Sequence, residues 1–573
     1  MFSESENIDF SPDVAPLRRT AWLIYGTVLA ALLLLLGRNA LVSTEGELAW
    51  SISNFAAGKM WYPDSAGAFF GGRLGGCLAG LTGSGEWTVR ILSVVAALVL
   101  LAGTMRLAEM LFDRQVQAVA GWMLIGSYGF LYWGRHGSCF MLLAALLLWW
   151  AVLVMTPERR AVQVWALTAL SSIGLAVFGF CFLLPAAALA VLGCRNSAPL
   201  SIVHRAVAVI SAVLAVAVIL ILLGWDWDAG WTENLDAIGT VIWKSLVNSW
   251  RTMVYPGVGS ADWYRTPLNL PRLLIPWLPV TVTVIVGMVI RWDEAPENLR
   301  KLLLSQAVML VLTGLFPGKR WQYLLPMLPF FIVLTAGGLT GDCGVPKWNR
   351  IAELVMTWCC TLIAALAVAV AVTYPLWNLL LKVYPPTVLI IGVPLLGLLA
   401  IGVLVFDTGP TCAVAKLSGM RGTWSGFILA AVALGIALWS VAVPSLTKFR
   451  TARPFWKRCH LELHHFPASA VIFFGDAPDD DELYYFNTPG KINIAITPQT
   501  LKKTLAAVET ETAAVIVRQH RSAELLQIMT DNNWKCTGEL KEGEPLRLLG
   551  TQSAGYKHYV MYEFTKLSPM KGK

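Results

Sequence analysis

Ionisable side chains are scarce in this sequence, and four groups of them stand where an apolar run meets a loop, the place where a polar reaction on a lipid headgroup could occur. The first is Glu45-Gly46-Glu47, in LVSTEGELAW just after the first apolar run. Two carboxylates flanking a glycine could supply a general base for an acceptor hydroxyl or amine, or ligate a divalent metal. The same residues also read as helix-starting chemistry, with Ser43 or Thr44 as the cap and the acids in the first turn of ELAWSISNFAAG. The second group is Lys319-Arg320 with Tyr323, in FPGKRWQYLLPMLP. Paired cations and a phenol suit a phosphate or pyrophosphate on a membrane lipid, whereas the plainer reading is that basic residues at span ends snorkel to the interface. The third is Arg135-His136 in YWGRHGSCF: the arginine could meet a phosphate, and the histidine could act as a base or sit at the interface. Asp64 and Arg73 form a weaker fourth group, and Lys244 and Arg251 in a later loop are weaker still.

The elements that must hold these residues are membrane helices. Of 573 residues, 56% are hydrophobic and 14% charged, which is more apolar surface than one soluble core can hide. Runs such as 21–36 and 206–224 approach the roughly 20 residues that cross a bilayer as helix. The first run ends at Gly37-Arg38 without a small-residue cleavage pattern, so it reads as a retained span. The net charge of +8 is spread in ones and twos between apolar runs, which is a topology signal and gives no support to nucleic-acid binding.

Apolar windows predict spans near 20–37, 89–110, 116–133, 138–155, 161–177, 178–194, 206–224, 271–290, 301–317, 323–340, 352–373, 386–406 and 423–445. That is about thirteen. With a cytoplasmic N-terminus, every inner connection carries a basic residue, and the odd count sends the tail outside. Residues 1–445 then form a polytopic α-helical membrane domain with outer loops 38–88 and 225–270, and residues 446–573 a small extracytoplasmic α/β domain. The outer loops are rich in tryptophan, and stretches such as ELAWSISNFAAG suit helices lying on the membrane surface.

In the tail, VIFF (471–474), AAVIV (513–517) and HYVMYEF read as strands, and TPQTLKKTLAAV (497–508) and RSAELLQIMT as helices. No glycine-rich phosphate loop follows a strand, so a nucleotide cofactor has no support. Ten cysteines show no CxxC spacing. Cys459 and Cys536 share the tail, where an oxidising compartment would permit them to pair, while Cys459-His460 with His464-His465 reads better as a polar linker than as a metal site.

Several segments, taken in order, resemble a family. The stretch EWTVRILSVVAALVLLAGTMRLAEMLFDRQVQAVAGWMLIGSYGFLYWGR from Glu86 is similar to the second and third spans of bacterial GT-C glycosyltransferases of the protein O-mannosyltransferase-like and aminoarabinose-transferase-like group. KRWQYLLPMLP is similar to that group's basic, tyrosine-bearing segment, and PRLLIPWLP (271–279) looks like its Pro-Trp span opening. The resemblance covers nearly the whole chain. It implies transfer, with inversion, of a sugar from a polyprenyl-phosphate donor to a lipid, glycan or protein acceptor on the outer face of the bacterial inner membrane. Where the family has an Asp-Glu pair the chain reads Thr44-Glu45-Gly46-Glu47, so the base falls to Glu45 or Glu47. Lys319, Arg320 and Tyr323, with Arg135 or Arg73, are the expected donor-phosphate ligands. Two other readings stay open. A flippase for lipid-linked glycans would place charges within spans and show two similar halves. A non-catalytic relative would bind such lipids without turnover.

Overall fold

In the computed structural model the described residues are 14–34, 36, 43–56, 66–83, 85–112, 114–156, 161–178, 265–315, 321–339, 346–380, 422–442, 453–475, 493–541 and 559–567, with short pieces within 181–189, 232–247 and 391–401. The predicted span at 206–224 and most of the loop at 225–270 lie outside them.

The N-terminal helices are α1 (Val14–Leu33), α2 (Ser43–Ala56), α3 (Ala66–Thr82), α4 (Glu86–Leu111), α5 (Arg114–Gly126), α6 (Tyr128–Gly134), α7 (Phe140–Met155) and α8 (Ala161–Phe178). There follow α9 (Arg265–Leu274), α10 (Leu278–Ile290), α11 (Glu297–Leu315), a 3-10 turn (Trp321–Met327) leading into α12 (Leu328–Leu339), α13 (Pro346–Leu380) and α14 (Gly422–Gly435). A π-helical turn, Ile436–Ala442, continues α14. The C-terminal part runs α15 (Arg453–Leu463), β1 (Val471–Phe474), β2 (Asn493–Ala495), α16 (Pro498–Ala506), β3 (Thr512–Arg518), α17 (Ser522–Asp531), β4 (Trp534–Lys541) and β5 (Tyr559–Lys566). Among the described residues, Glu86–Leu111 and Gln322–Leu339 are long and apolar enough to cross a membrane, and six shorter apolar helices accompany them.

Two compact units emerge. One comprises Met1–Leu36, Asp64–Phe70 and Arg90–Ala442; the other comprises Gly37–Pro63, Gly71–Val89 and Val443–Lys573. In the first, leucine, alanine and valine dominate the helices, and α7 (FMLLAALLLWWAVLVM) is typical. The expected span at 116–133 is broken at Ser127, whose backbone is extended and whose hydroxyl donates to the Leu124 carbonyl at 2.6 Å. The freed Tyr128 N–H donates to the Ile275 carbonyl at 2.8 Å, at the break between α9 and α10. Each interruption thus helps satisfy the other, as a low-dielectric surrounding requires. Gly126 and Gly129 let these segments close up, because a Cβ there would stand 2.8 Å from the Trp277 ring and 2.7 Å from the Leu273 side chain.

The second unit is built on a five-stranded sheet of order β2-β1-β3-β5-β4. β1 is parallel to β2 and β3, and β5 is antiparallel to β3 and β4. Side chains of alternate residues go to opposite faces. Ile472, Phe474, Val515 and Val517 join Leu501 and Leu505 of α16 and Leu525 and Met529 of α17 in one apolar cluster. Val471, Phe473, Ala514 and Ile516 join Phe455, Trp456, Cys459 and Leu463 of α15 in another, which also holds Leu48, Ala49 and Ile52 of α2. The amphipathic stretch expected on the membrane surface therefore has its apolar side in a protein core. Its helix begins at Ser43, so Ser43 and Thr44 lie inside the first turn rather than before it.

β1, β3, β5, α16 and α17 fall where the sequence pattern puts them; β2 and β4 were not foreseen. Both are edge strands, β2 only three residues long and β4 mostly exposed. The signal was there and was passed over: Trp534, Cys536 and Leu540 alternate with Lys535, Thr537, Glu539 and Lys541, and Ile492, Ile494 and Ile496 stand at every second position around β2.

Candidate functional site

In the first unit the buried ionic chemistry collects at the carbonyl end of α1. The last carbonyls of a helix have no partner within it and carry its negative dipole end. Here they receive donors from three distant elements. Arg135, which follows α6, donates from Nη1 to the carbonyls of Ala31 and Leu32 at 2.6 and 3.0 Å, and from Nη2 to that of Leu34 at 2.6 Å. Arg90, near the start of α4, donates to the Leu36 carbonyl at 2.8 Å. Ser440, in the π turn after α14, donates to the Ala31 carbonyl at 2.7 Å. Both guanidinium groups are buried, with Arg90 2% and Arg135 5% exposed.

Both Nη atoms of Arg135 thus serve backbone carbonyls and cap α1, while its buried Nε has no partner among the described residues. His136 beside it stacks on Tyr132 at 5.3 Å and meets Trp133 edge-on at 4.9 Å. The turn is tied down by Ser93, whose hydroxyl donates to the Ser138 carbonyl at 2.8 Å and accepts from the Ser138 N–H at 3.3 Å. Tyr323 sits half-buried in the 3-10 turn, edge-on to Phe140 at 5.4 Å, and Phe140 meets Trp133 at 6.0 Å. An aromatic chain therefore joins Tyr323 to the Arg135 turn. Its neighbours Lys319 and Arg320 lie outside the described residues, as do Asp64, Lys244 and Arg251.

The second unit holds the carboxylates. Glu45 is fully buried and Glu47 half-buried, both in the N-terminal part of α2, where the helix dipole favours negative charge. Residues two apart on a helix point to different sides. The two carboxylates that flank Gly46 in the sequence therefore face different sides of α2. Glu86 in the first turn of α4 is a further buried carboxylate. Arg73 lies on α3 with its guanidinium 5.2 Å from the Phe55 ring centre. The glycines around it have a packing cause. A Cβ on Gly72, Gly75 or Gly76 would come within 1.9 Å of the Ser51 Oγ, 2.5 Å of Ile52 or 2.7 Å of Phe55.

Arg90 and Ser440 are the residues that sequence reasoning passed over. Arg90 stood in the quoted EWTVRIL stretch, and an arginine at the mouth of an apolar helix was signal enough. Ser440 gave none. Among the described residues no group of three or more His, Cys, Asp or Glu side chains could hold a metal ion. Cys459 is buried in the α15 cluster and Cys536 is exposed on β4, and the two are not bonded to each other.

No family model matches the chain, and no curated protein does. Solved structures do match. ArnT from Cupriavidus metallidurans bound to undecaprenyl phosphate superposes with a TM-score of 0.62 at 13% identity, over 96% of this chain and 98% of that one. The chain has the fold of ArnT. The apo state of that protein agrees, with a TM-score of 0.63 at 12% identity over 96% and 97%. An Archaeoglobus fulgidus oligosaccharyltransferase aligns more loosely, with a TM-score of 0.44 at 10% identity over 90% of this chain and 71% of that one, and carries no argument. In this chain the likeness of fold takes in the apolar helices of the first unit, two of which, Glu86–Leu111 and Gln322–Leu339, are long and apolar enough to cross a membrane.

Proposed function

We propose that the chain is a membrane glycosyltransferase that moves a sugar from a polyprenyl-phosphate carrier to a lipid, glycan or protein acceptor on the outer face of a bacterial inner membrane. The observation that supports this most is the end-to-end likeness to a protein whose structure holds undecaprenyl phosphate. In this reading Glu45 takes the proton from the acceptor nucleophile, which attacks the anomeric carbon opposite the phosphate. The carbon–oxygen bond to phosphate breaks, its electron pair leaves with the polyprenyl phosphate, and the anomeric configuration inverts. Lys319, Arg320 and Tyr323, with Arg73, neutralise the charge gathering on that leaving group, which is where a transferase of this kind gains much of its acceleration. Glu45 is preferred to Glu47 because it is the one of the two whose side chain faces wholly into the protein and away from bulk water. Arg135 holds the end of α1 through both Nη atoms and offers its Nε to the same leaving group.

The test is transfer from a panel of polyprenyl-phosphate sugars in reconstituted vesicles. Glu45→Gln is expected to lower the rate by about a hundredfold or more, the usual size of a general-base contribution, while Glu47→Gln retains most of it. Equal rates for both variants and wild type remove the carboxylate role. No transfer by wild type from any donor in the panel removes the transferase reading.

A further inference from the structure

The run from Lys448 to Arg458 follows the last apolar helix closely and contains five basic residues, Lys448, Arg450, Arg453, Lys457 and Arg458, with no acid among them. Its second half opens α15, whose Pro454 suits a helix start. Phe455, Trp456, Cys459 and Leu463 are buried, with Trp456 stacked on Phe473 at 5.9 Å and Phe455 on Tyr559 at 6.5 Å. These contacts fix which way the helix faces. The opposite side carries exposed Lys457, Arg458 and Glu462, and Leu461 at 66% exposure, and exposed His464 and His465 follow in the turn after the helix. Among the described residues neither Lys457 nor Arg458 forms an ion pair, although α17 in the same unit pairs its own arginine, Arg521, with Glu524.

An amphipathic helix whose apolar side is already used inside the protein does not bind a bilayer by insertion. What remains is charge. A basic cluster next to a membrane span is attracted to acidic lipid headgroups, and the attraction dies within a Debye length. We propose that the exposed face of α15, through Lys457 and Arg458, binds anionic phospholipid headgroups at the bilayer surface. The unpaired cations, the apolar helix that ends shortly before them in the sequence and the committed apolar face all favour this occupant. The inference is independent of the donor chemistry proposed above and of which leaflet the tail faces.

The experiment uses the full chain in nanodiscs of phosphatidylcholine alone and of phosphatidylcholine with about one-third phosphatidylglycerol. Exposed lysines are acylated with a water-soluble reagent and read by mass spectrometry. Lys457 is expected to label about threefold more slowly in the anionic discs, with the difference lost near 1 M salt, where the Debye length falls to about 3 Å. Lys502 and Lys503, exposed on α16, serve as internal controls and should label alike in both. Equal labelling of Lys457 in the two discs overturns the proposal and leaves α15 a solvated basic face. Protection that spreads equally to Lys502 and Lys503 also overturns it, since that reports a change throughout the unit.

Discussion

The carbonyl end of α1 and the start of α17 both place an arginine at a helix end, yet the two arginines do different work. Arg135 is 5% exposed, and its Nη atoms reach three backbone carbonyls about a hundred residues away in sequence. Arg521 has a quarter of its side chain exposed; its guanidinium pairs with Glu524 three residues on, at 2.9 Å, and lies 4.6 Å from the Phe474 ring centre. Where water is absent, a helix end must find donors from the rest of the fold. Where water is present, side chains pair locally for modest gain. The lesson is that the same residue type locks tertiary structure in the membrane unit and only decorates it in the sheet unit.

The sharpest way to break that contrast is Arg135→Ala, which leaves the carbonyls of Ala31, Leu32 and Leu34 without their shared donor. A loss of about 3 kcal/mol or more is expected, read as a lower melting temperature in detergent, and Arg135→Lys should recover only part because a point charge cannot replace the guanidinium fork. A variant melting with wild type would end the capping assignment. Gly72→Ala comes next. Its Cβ would collide with the Ser51 side chain, so a cost of about 1–3 kcal/mol is expected. Gly80→Ala, with nothing within 4 Å of its Cβ, is the control and should be neutral or slightly stabilising. If the two alanines cost the same, helix propensity and not close packing explains the glycines. Glu524→Gln should matter least, at about 0.5 kcal/mol and less in high salt, and a loss matching that of Arg135→Ala would erase the distinction.

Much of the scaffold was legible before any coordinates. The apolar runs of α4 and α7 announce helices because lipid-facing sequence is continuous and long, and β1, β3 and β5 because strands at the centre of a sheet are apolar throughout. The edge strands β2 and β4 carry a shorter and weaker form of that signal, an alternation of apolar and polar residues with one face in water, and went unread. The site was legible only as a set of residue types. Glu45 and Glu47 were found together, but that they turn to different sides follows from α2 beginning at Ser43 and running through both. Arg135 was found as a cation out of place, and its partners could not be read.

Hydropathy and residue order alone determined the solvent of this chain, its mostly helical membrane architecture and the α/β character of its tail, because burial energy adds up along a local run. Tertiary structure alone decided that α2 shares a core with the sheet, that Ser440 serves a carbonyl 409 residues earlier, and that α1 ends under two buried arginines. Hydrogen bonds depend on direction and distance between groups remote in sequence, and no property summed along the chain records either.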